Sequence, residues 1–292
     1  MINITVPLLV LVATTIVLHV YSVRLAKTAW IKEERRYTYM IEPVAQRHTD
    51  NHQETINFFG KARNIAWVSA LVMGLASFGF FFASDGLSDL EAVVASGLTI
   101  MAWTGGFVLY TDIKTARMPM ELADISNIGA AILAAWGIFA VLGVENISWG
   151  DIALWVSVLA IFFTIAIFGG AGMGDVVFMV LATLVLGWWV PGLFAYAAIF
   201  IASFTGLMMN GIQWARKGSE TKEARSKYKK SFLKSGKPPV IKIIEEAMDK
   251  GKATDEQIQE WKEWKNVNIT HVPMLPHYFL AYVIVTVIAL YI

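Results

Sequence analysis

Apolar residues in this chain come in long runs separated by polar stretches. They show neither the two-residue alternation of a half-buried strand nor the narrow stripe of a soluble helix. Eight runs approach the ~20 residues a helix needs to cross a bilayer: about 3–23, 64–84, 92–111, 125–143, 151–169, 175–190, 192–212 and 273–292. The sixth is the shortest. The pattern predicts an all-α polytopic membrane protein of about eight transmembrane helices. The first run lacks a basic segment before it, so it is expected to be retained as a span and not cleaved as a signal peptide. Its basic residues, Arg24 and Lys27, come after it.

Two polar stretches interrupt the runs. Segment 24–63 is too short for a domain and is expected to extend the first two spans as helix. Segment 213–272 is strongly basic through Lys237 and is then broken by Pro238 and Pro239. Beyond the prolines, Val240, Ile241, Ile243, Ile244, Ala247 and Met248 recur at helical spacing, with Gly251 as the stop. Thr254 and Gln257 form a capping-box pattern opening a further helix through Trp261 and Trp264. A small cytosolic subdomain at the membrane surface is expected here. The chain accordingly divides into residues 1–90, two helices with a cytosolic connection, and 91–292, a six-helix core that includes the 213–272 subdomain.

Composition agrees with the runs: 56% of residues are hydrophobic and 16% charged, against about a quarter charged in soluble domains. Mean hydropathy is +0.55. There is no cysteine, which excludes disulfides, thiol catalysis and cysteine-bound zinc. The net charge of +1 carries no bulk signal about partners, and no nucleic-acid partner is expected. The distribution of charge says more. With the N-terminus outside, all 24 Lys and Arg fall on the inner side, eight in 24–63, two in 112–124 and fourteen in 213–272. The outer loops at 85–91, 144–150 and 190–192 hold none, as the positive-inside rule requires. A plasma-membrane location follows as an expectation.

That orientation puts two acids at one membrane face. Asp112 ends the third span on the inner side, and Asp175 opens the sixth span on the same side, so the two are expected at one depth. Asp175 closes the motif Gly172-Met173-Gly174-Asp175 and is followed by an uncharged apolar run. An ionised group in hydrocarbon is costly unless it is solvated, paired or at work. Two adjacent carboxyls cannot both ionise cheaply, so one holds a proton while the other activates water. That chemistry cleaves peptide bonds without metal or cofactor. Gly172 and Gly174, after Gly169 and Gly170, leave room for a sharp turn and the close approach of a substrate strand. The first turn of a helix favours an anion, which makes Asp175 the expected charged member of the pair.

These motifs resemble those of the type IV prepilin and archaeal preflagellin (archaellin) peptidases, membrane aspartyl proteases with a Gly-x-Gly-Asp motif. The resemblance rests on Asp112-Ile113-Lys114-Thr115-Ala116-Arg117-Met118-Pro119 with Leu122 beyond, on Gly172-Met173-Gly174-Asp175, and on Val272-Pro273-Met274-Leu275-Pro276 before the last span. It covers roughly residues 92–292. It implies that Asp112 and Asp175 are the catalytic pair, with Gly172 and Gly174 as motif glycines. It also implies that the substrate is a pilin- or archaellin-like precursor, cut at the cytosolic face where a short basic leader meets an apolar helix. The family often has Lys two residues after the motif Asp, where this chain has Val177. In that respect the motif is similar to the presenilin and signal-peptide-peptidase form. Those proteases, however, place their acids on consecutive spans, with Tyr before the first Asp and a Pro-Ala-Leu motif later. Here two spans separate the acids, Thr111 precedes Asp112, and Pro-Ala-Leu is absent. The N-methyltransferase activity of bacterial members accompanies a four-cysteine insertion that this chain lacks.

Two alternatives remain open: a presenilin-like protease cutting within transmembrane helices, and an ion- or proton-coupled transporter using the same acids. Several other residues have structural expectations. His48 and His52 have a one-turn metal-ligand spacing without a third ligand nearby and are expected to be solvated. His19 is expected to pack or hydrogen-bond between helices. His277 lies near the proposed active face, where a structural role is favoured over substrate contact. Asp124 with Ser126 is expected to cap the fourth span, with Glu121 solvated beside it. Trp188 and Trp189 are expected to anchor the outer boundary, and Gly129-Ala130-Ala131 to let helices pack closely.

Overall fold

The computed structural model describes residues 4–32, 51–84, 87–115, 120–167, 173–217, 239–268 and 274–291, with side chains at several helix ends, Asp112 among them, outside the description. Among the described residues the regular structure is all helical. The helices are α1 Thr5–Lys32, α2 Asn51–Ser84, α3 Asp89–Thr115, α4 Met120–Trp136, α5 Trp149–Ile167, α6 Met173–Leu186, α7 Leu193–Lys217, α8 Pro239–Asp249, α9 Asp255–Asn268 and α10 Leu275–Tyr291. Five of them, α1 to α5, are long and apolar enough to cross a membrane. The apolar parts of α6, α7 and α10 are shorter: Gly174–Leu186, Leu193–Met209 and Leu275–Ala289. As expected for 24–63, α1 runs on past its apolar part to Lys32, and α2 starts early, at Asn51.

The axis of the assembly is α3, which packs against α1, α2, α4, α6 and α10. Its sequence explains why. From Ala92 to Val108 every residue is buried, so the helix is apolar on all sides and has no polar face to turn outward. Small residues let neighbours come close. A side chain at Gly105 would overlap the Phe279 ring of α10, and one at Gly106 would meet Ser69 and the Ile65 carbonyl of α2. Two of the polar side chains on α3 are satisfied locally or across one contact, whereas the buried Ser96 hydroxyl and Trp103 indole N–H have no partner among the described residues. Thr99 returns its hydroxyl to the Ala95 carbonyl, and Thr104 shares a 2.5 Å hydrogen bond with Ser126 of α4.

Two apolar clusters meet on α3. The larger joins it to α4, α5, α6, α7 and α10 through Trp155, Phe178, Met179 and Tyr282. The smaller joins it to α1 and α2 through Leu18, Phe59, Ala66, Trp103 and Phe107. Between α1 and α2, the Trp67 indole N–H donates to His19 Nδ1 at 3.1 Å, the interhelical bond expected of His19. The far end of the bundle is closed by side chains on backbone groups: Gly192 N–H donates to the Asp151 carboxylate at 2.6 Å, and the Trp155 indole to the Val190 carbonyl at 3.0 Å.

Two details differ from expectation. Helix α4 begins at Met120, so Asp124 lies within it and cannot cap it, and Ser126 is buried against Thr104. Trp188 is only 8% exposed and packs over Gly137, and the Trp188 and Trp189 indoles donate to the Leu184 and Val185 carbonyls. Trp188 is therefore a core residue. Its aromatic body finds a closer-packed partner in the π-helical turn Gly137–Leu142, which continues α4. Helices α8 and α9 form a hairpin with its own small core of Ile241, Ile244 and Trp261.

Candidate functional site

The site is built at the end of the bundle where α3 finishes and α6 starts. Asp175 stands in the first turn of α6 and is partly buried, as is Gly174 beside it. Gly172, Gly169 and Gly170 lie outside the described residues. Helical spacing decides which way Asp175 faces. Positions 175, 178, 179, 182 and 185 fall on one stripe, and Phe178, Met179, Ala182 and Val185 are all buried in the main cluster. The carboxylate thus continues the core-facing line of α6 at its open end, near the positive end of the helix dipole.

What it faces follows from the register of α6 with its neighbours. Phe178 lies 6.3 Å, ring to ring, from both Phe279 and Tyr282 of α10. Helix α5 runs antiparallel to both α6 and α10: Trp155 stacks on Tyr282 and packs at Gly187, and Phe162 meets Tyr278 edge-on at 5.5 Å. So α6 and α10 run in the same direction. One turn back along each brings Asp175 alongside Tyr278. The phenol is 4% exposed.

Asp112 is in the last turns of α3, which stays helical through Thr115. Because α3 and α6 are antiparallel, both acids belong to the same end of the bundle. Val185 packs where a side chain on Gly97 would stand, which sets α3 against α6. The Asp112 side chain, and with it the equal depth expected from counting spans, lies outside the described residues.

Further residues line this end. The Asn127 amide of α4 donates to the Val177 carbonyl at 3.4 Å, and its buried Oδ1 has no partner among the described residues. His277 pairs with Thr205 of α7 at 3.0 Å, a link between α10 and α7 that gives it a structural role. Asp124 and Glu121 are exposed. His48 lies outside the described residues, as does the side chain of His52. Neither Tyr278 nor Asn127 was legible as a site residue in the sequence. Tyr278 does stand two residues after Pro276, at the start of the last apolar run, the position from which it reaches Asp175.

No family model matches this chain, nor does any curated protein or solved structure.

Proposed function

We propose that the protein is a membrane aspartyl endopeptidase of the prepilin-peptidase type. One observation carries this: Asp175 sits half-buried on the core-facing stripe of an apolar helix, at the end of the bundle to which α3 delivers Asp112. A carboxylate so placed must be solvated, paired or at work, and a second acid at the same end of the bundle favours work. The ionised acid takes a proton from water, which attacks the scissile carbonyl. The protonated acid donates to the carbonyl oxygen; as the C–N bond breaks, the acid that took the water's proton passes it to the leaving amine, and the first acid recovers its own proton from the gem-diol hydroxyl. Water and an extended peptide segment would sit between the two acids. Gly172, ahead of α6, and Gly174, in its first turn, would leave room for that segment to approach the backbone.

On this proposal α6, α7 and α10 also cross the bilayer, making eight spans. The N-terminus is outside, and the acids lie at the cytosolic face of the plasma membrane. All 24 basic residues then stay inside. The substrate is a pilin- or archaellin-like precursor whose basic leader remains on that face.

The test is cleavage, in liposomes, of a synthetic precursor bearing a Lys/Arg leader before an apolar helix. Wild type is expected to release the leader, with the cut before the apolar segment fixed by mass. Asp112→Asn and Asp175→Asn are each expected to reduce release to background. A cut inside the apolar helix would favour a presenilin-like protease. Ion flux lost in Asp175→Asn, with no proteolysis in wild type, would favour a transporter.

A further inference from the structure

At the level of Asp175, α10 places two groups able to hydrogen-bond, His277 and Tyr278. His277 is committed to Thr205 at 3.0 Å. Two turns deeper, Thr286 is committed to the Tyr282 carbonyl at 2.7 Å. The Tyr278 ring is held by the edge of Phe162 at 5.5 Å, and its helix is held over Gly105 by Phe279. Tyr278 is 4% exposed. A buried phenol ordinarily uses its O–H, and a purely packing role at this place would be served as well by Phe. Phe162 packs on the Tyr278 ring and Phe178 on Phe279, so aromatic rings line this part of the contact between α5, α6 and α10.

Resting on the peptidase assignment, we propose that Tyr278 is a third catalytic residue, whose hydroxyl donates a hydrogen bond to the scissile carbonyl oxygen of a peptide bound against Asp175. As water adds to the carbonyl carbon, the C=O double bond becomes a single bond and charge gathers on that oxygen. The protonated acid neutralises it by proton transfer, and Tyr278 stabilises it without giving up its own proton. When the C–N bond breaks, the oxygen returns to a carbonyl and the amine leaves with the proton supplied by the acid pair. The phenol enters and leaves the cycle unchanged. A preorganised donor in a water-poor, apolar frame is effective because nothing must reorganise at the moment of reaction.

The experiment is steady-state cleavage of the same precursor in liposomes by wild type, Tyr278→Phe and Asp175→Asn, with thermal unfolding of each. Tyr278→Phe keeps the ring on Phe162 and removes only the hydroxyl. The expected result is a kcat lower by about a hundredfold, the scale for loss of one such donor, with KM within about twofold. Its unfolding temperature and the pH limits of kcat/KM should match wild type. An unchanged kcat, or a loss confined to KM, would overturn the role while leaving the peptidase assignment standing on Asp175→Asn. A shift of the acidic pH limb would overturn it differently, showing that Tyr278 acts through the ionisation of Asp175. If wild type leaves the precursor uncut, the peptidase assignment fails and this role fails with it.

Discussion

Single residues in this bundle are decided by what the interior offers them. The Thr104–Ser126 hydroxyl pair shows this, because each partner also returns a bond to its own helix, to the Ile100 and Leu122 carbonyls. Removal of the interhelical part should therefore be mild. A double-mutant cycle of Thr104→Val and Ser126→Ala is expected to give a coupling of about 0.6 kcal/mol, the average for such pairs in membrane proteins, measured by reversible unfolding in detergent. A coupling several times larger would mean that the pair organises more than one contact. Asp151 is the contrasting acid. It reads as an isolated charge at the start of a span, yet its carboxylate accepts the Gly192 N–H and joins the start of α5 to that of α7. Both acids stand in the first turn of an apolar helix; the sequence separates them by the Gly-x-Gly motif before Asp175, and the structure adds the partner that gives Asp151 its role.

Elements were the most legible scale. The apolar runs forecast the positions of the helices well, because a long uncharged stretch has few alternatives to helix in lipid. The α8–α9 hairpin shows local signals working one by one. Helix α8 ends in a Schellman turn, with Lys252 N–H on the Ala247 carbonyl at 2.8 Å, Gly251 N–H on Met248 at 3.0 Å and Gly251 at φ +62°. Helix α9 opens with the predicted capping box: Thr254 N–H reaches the Gln257 side chain at 3.0 Å, and Gln257 N–H reaches Thr254 Oγ1 at 3.3 Å. Gly251→Ala places a Cβ in the left-handed region and should cost about 1 kcal/mol; Thr254→Ala should cost a similar ~1 kcal/mol. Hydrogen exchange across 239–268 should read both as faster exchange in the hairpin. Protection equal to wild type would show that tertiary contacts, and not the caps, hold these helices. A second capping box, Ser88 with Glu91 at the start of α3, has bonds of 2.6 and 3.3 Å. It follows the same sequence rule.

For the whole molecule the deciding feature is the helix with no outward face. With α3 at the centre, the two N-terminal helices pack directly on the same axis that carries Asp112, through Trp103 and Phe107. Close approach at Gly105 keeps α10, and with it Tyr278, in register. Gly105→Val should force Phe279 aside and destabilise the bundle by about 1–3 kcal/mol, the usual range for overpacking. Thermal unfolding in detergent should fall accordingly, and an unchanged midpoint would show that α10 can shift without penalty. Sidedness is testable as well, because the chain has no cysteine. A single cysteine replacing Glu145 should react with an impermeant thiol reagent from outside intact cells. One replacing Lys252 should react only after lysis. The reverse pattern would invert the proposed topology.

The sequence by itself determined that this is a helical chain with runs long enough to cross a membrane, where most of its helices lie, and that two acids stand at helix ends. These properties depend on neighbours along the chain: hydropathy over ~20 residues, caps three residues apart, and glycine where φ is positive. Only the tertiary structure decided that α3 is the axis, that Trp188 is interior, and that Tyr278 stands level with the second acid. Each of those depends on the register between helices distant in sequence. Register is set by which side chains interlock, such as Val185 against Gly97 or Phe279 against Gly105, and no pattern within a single helix encodes it.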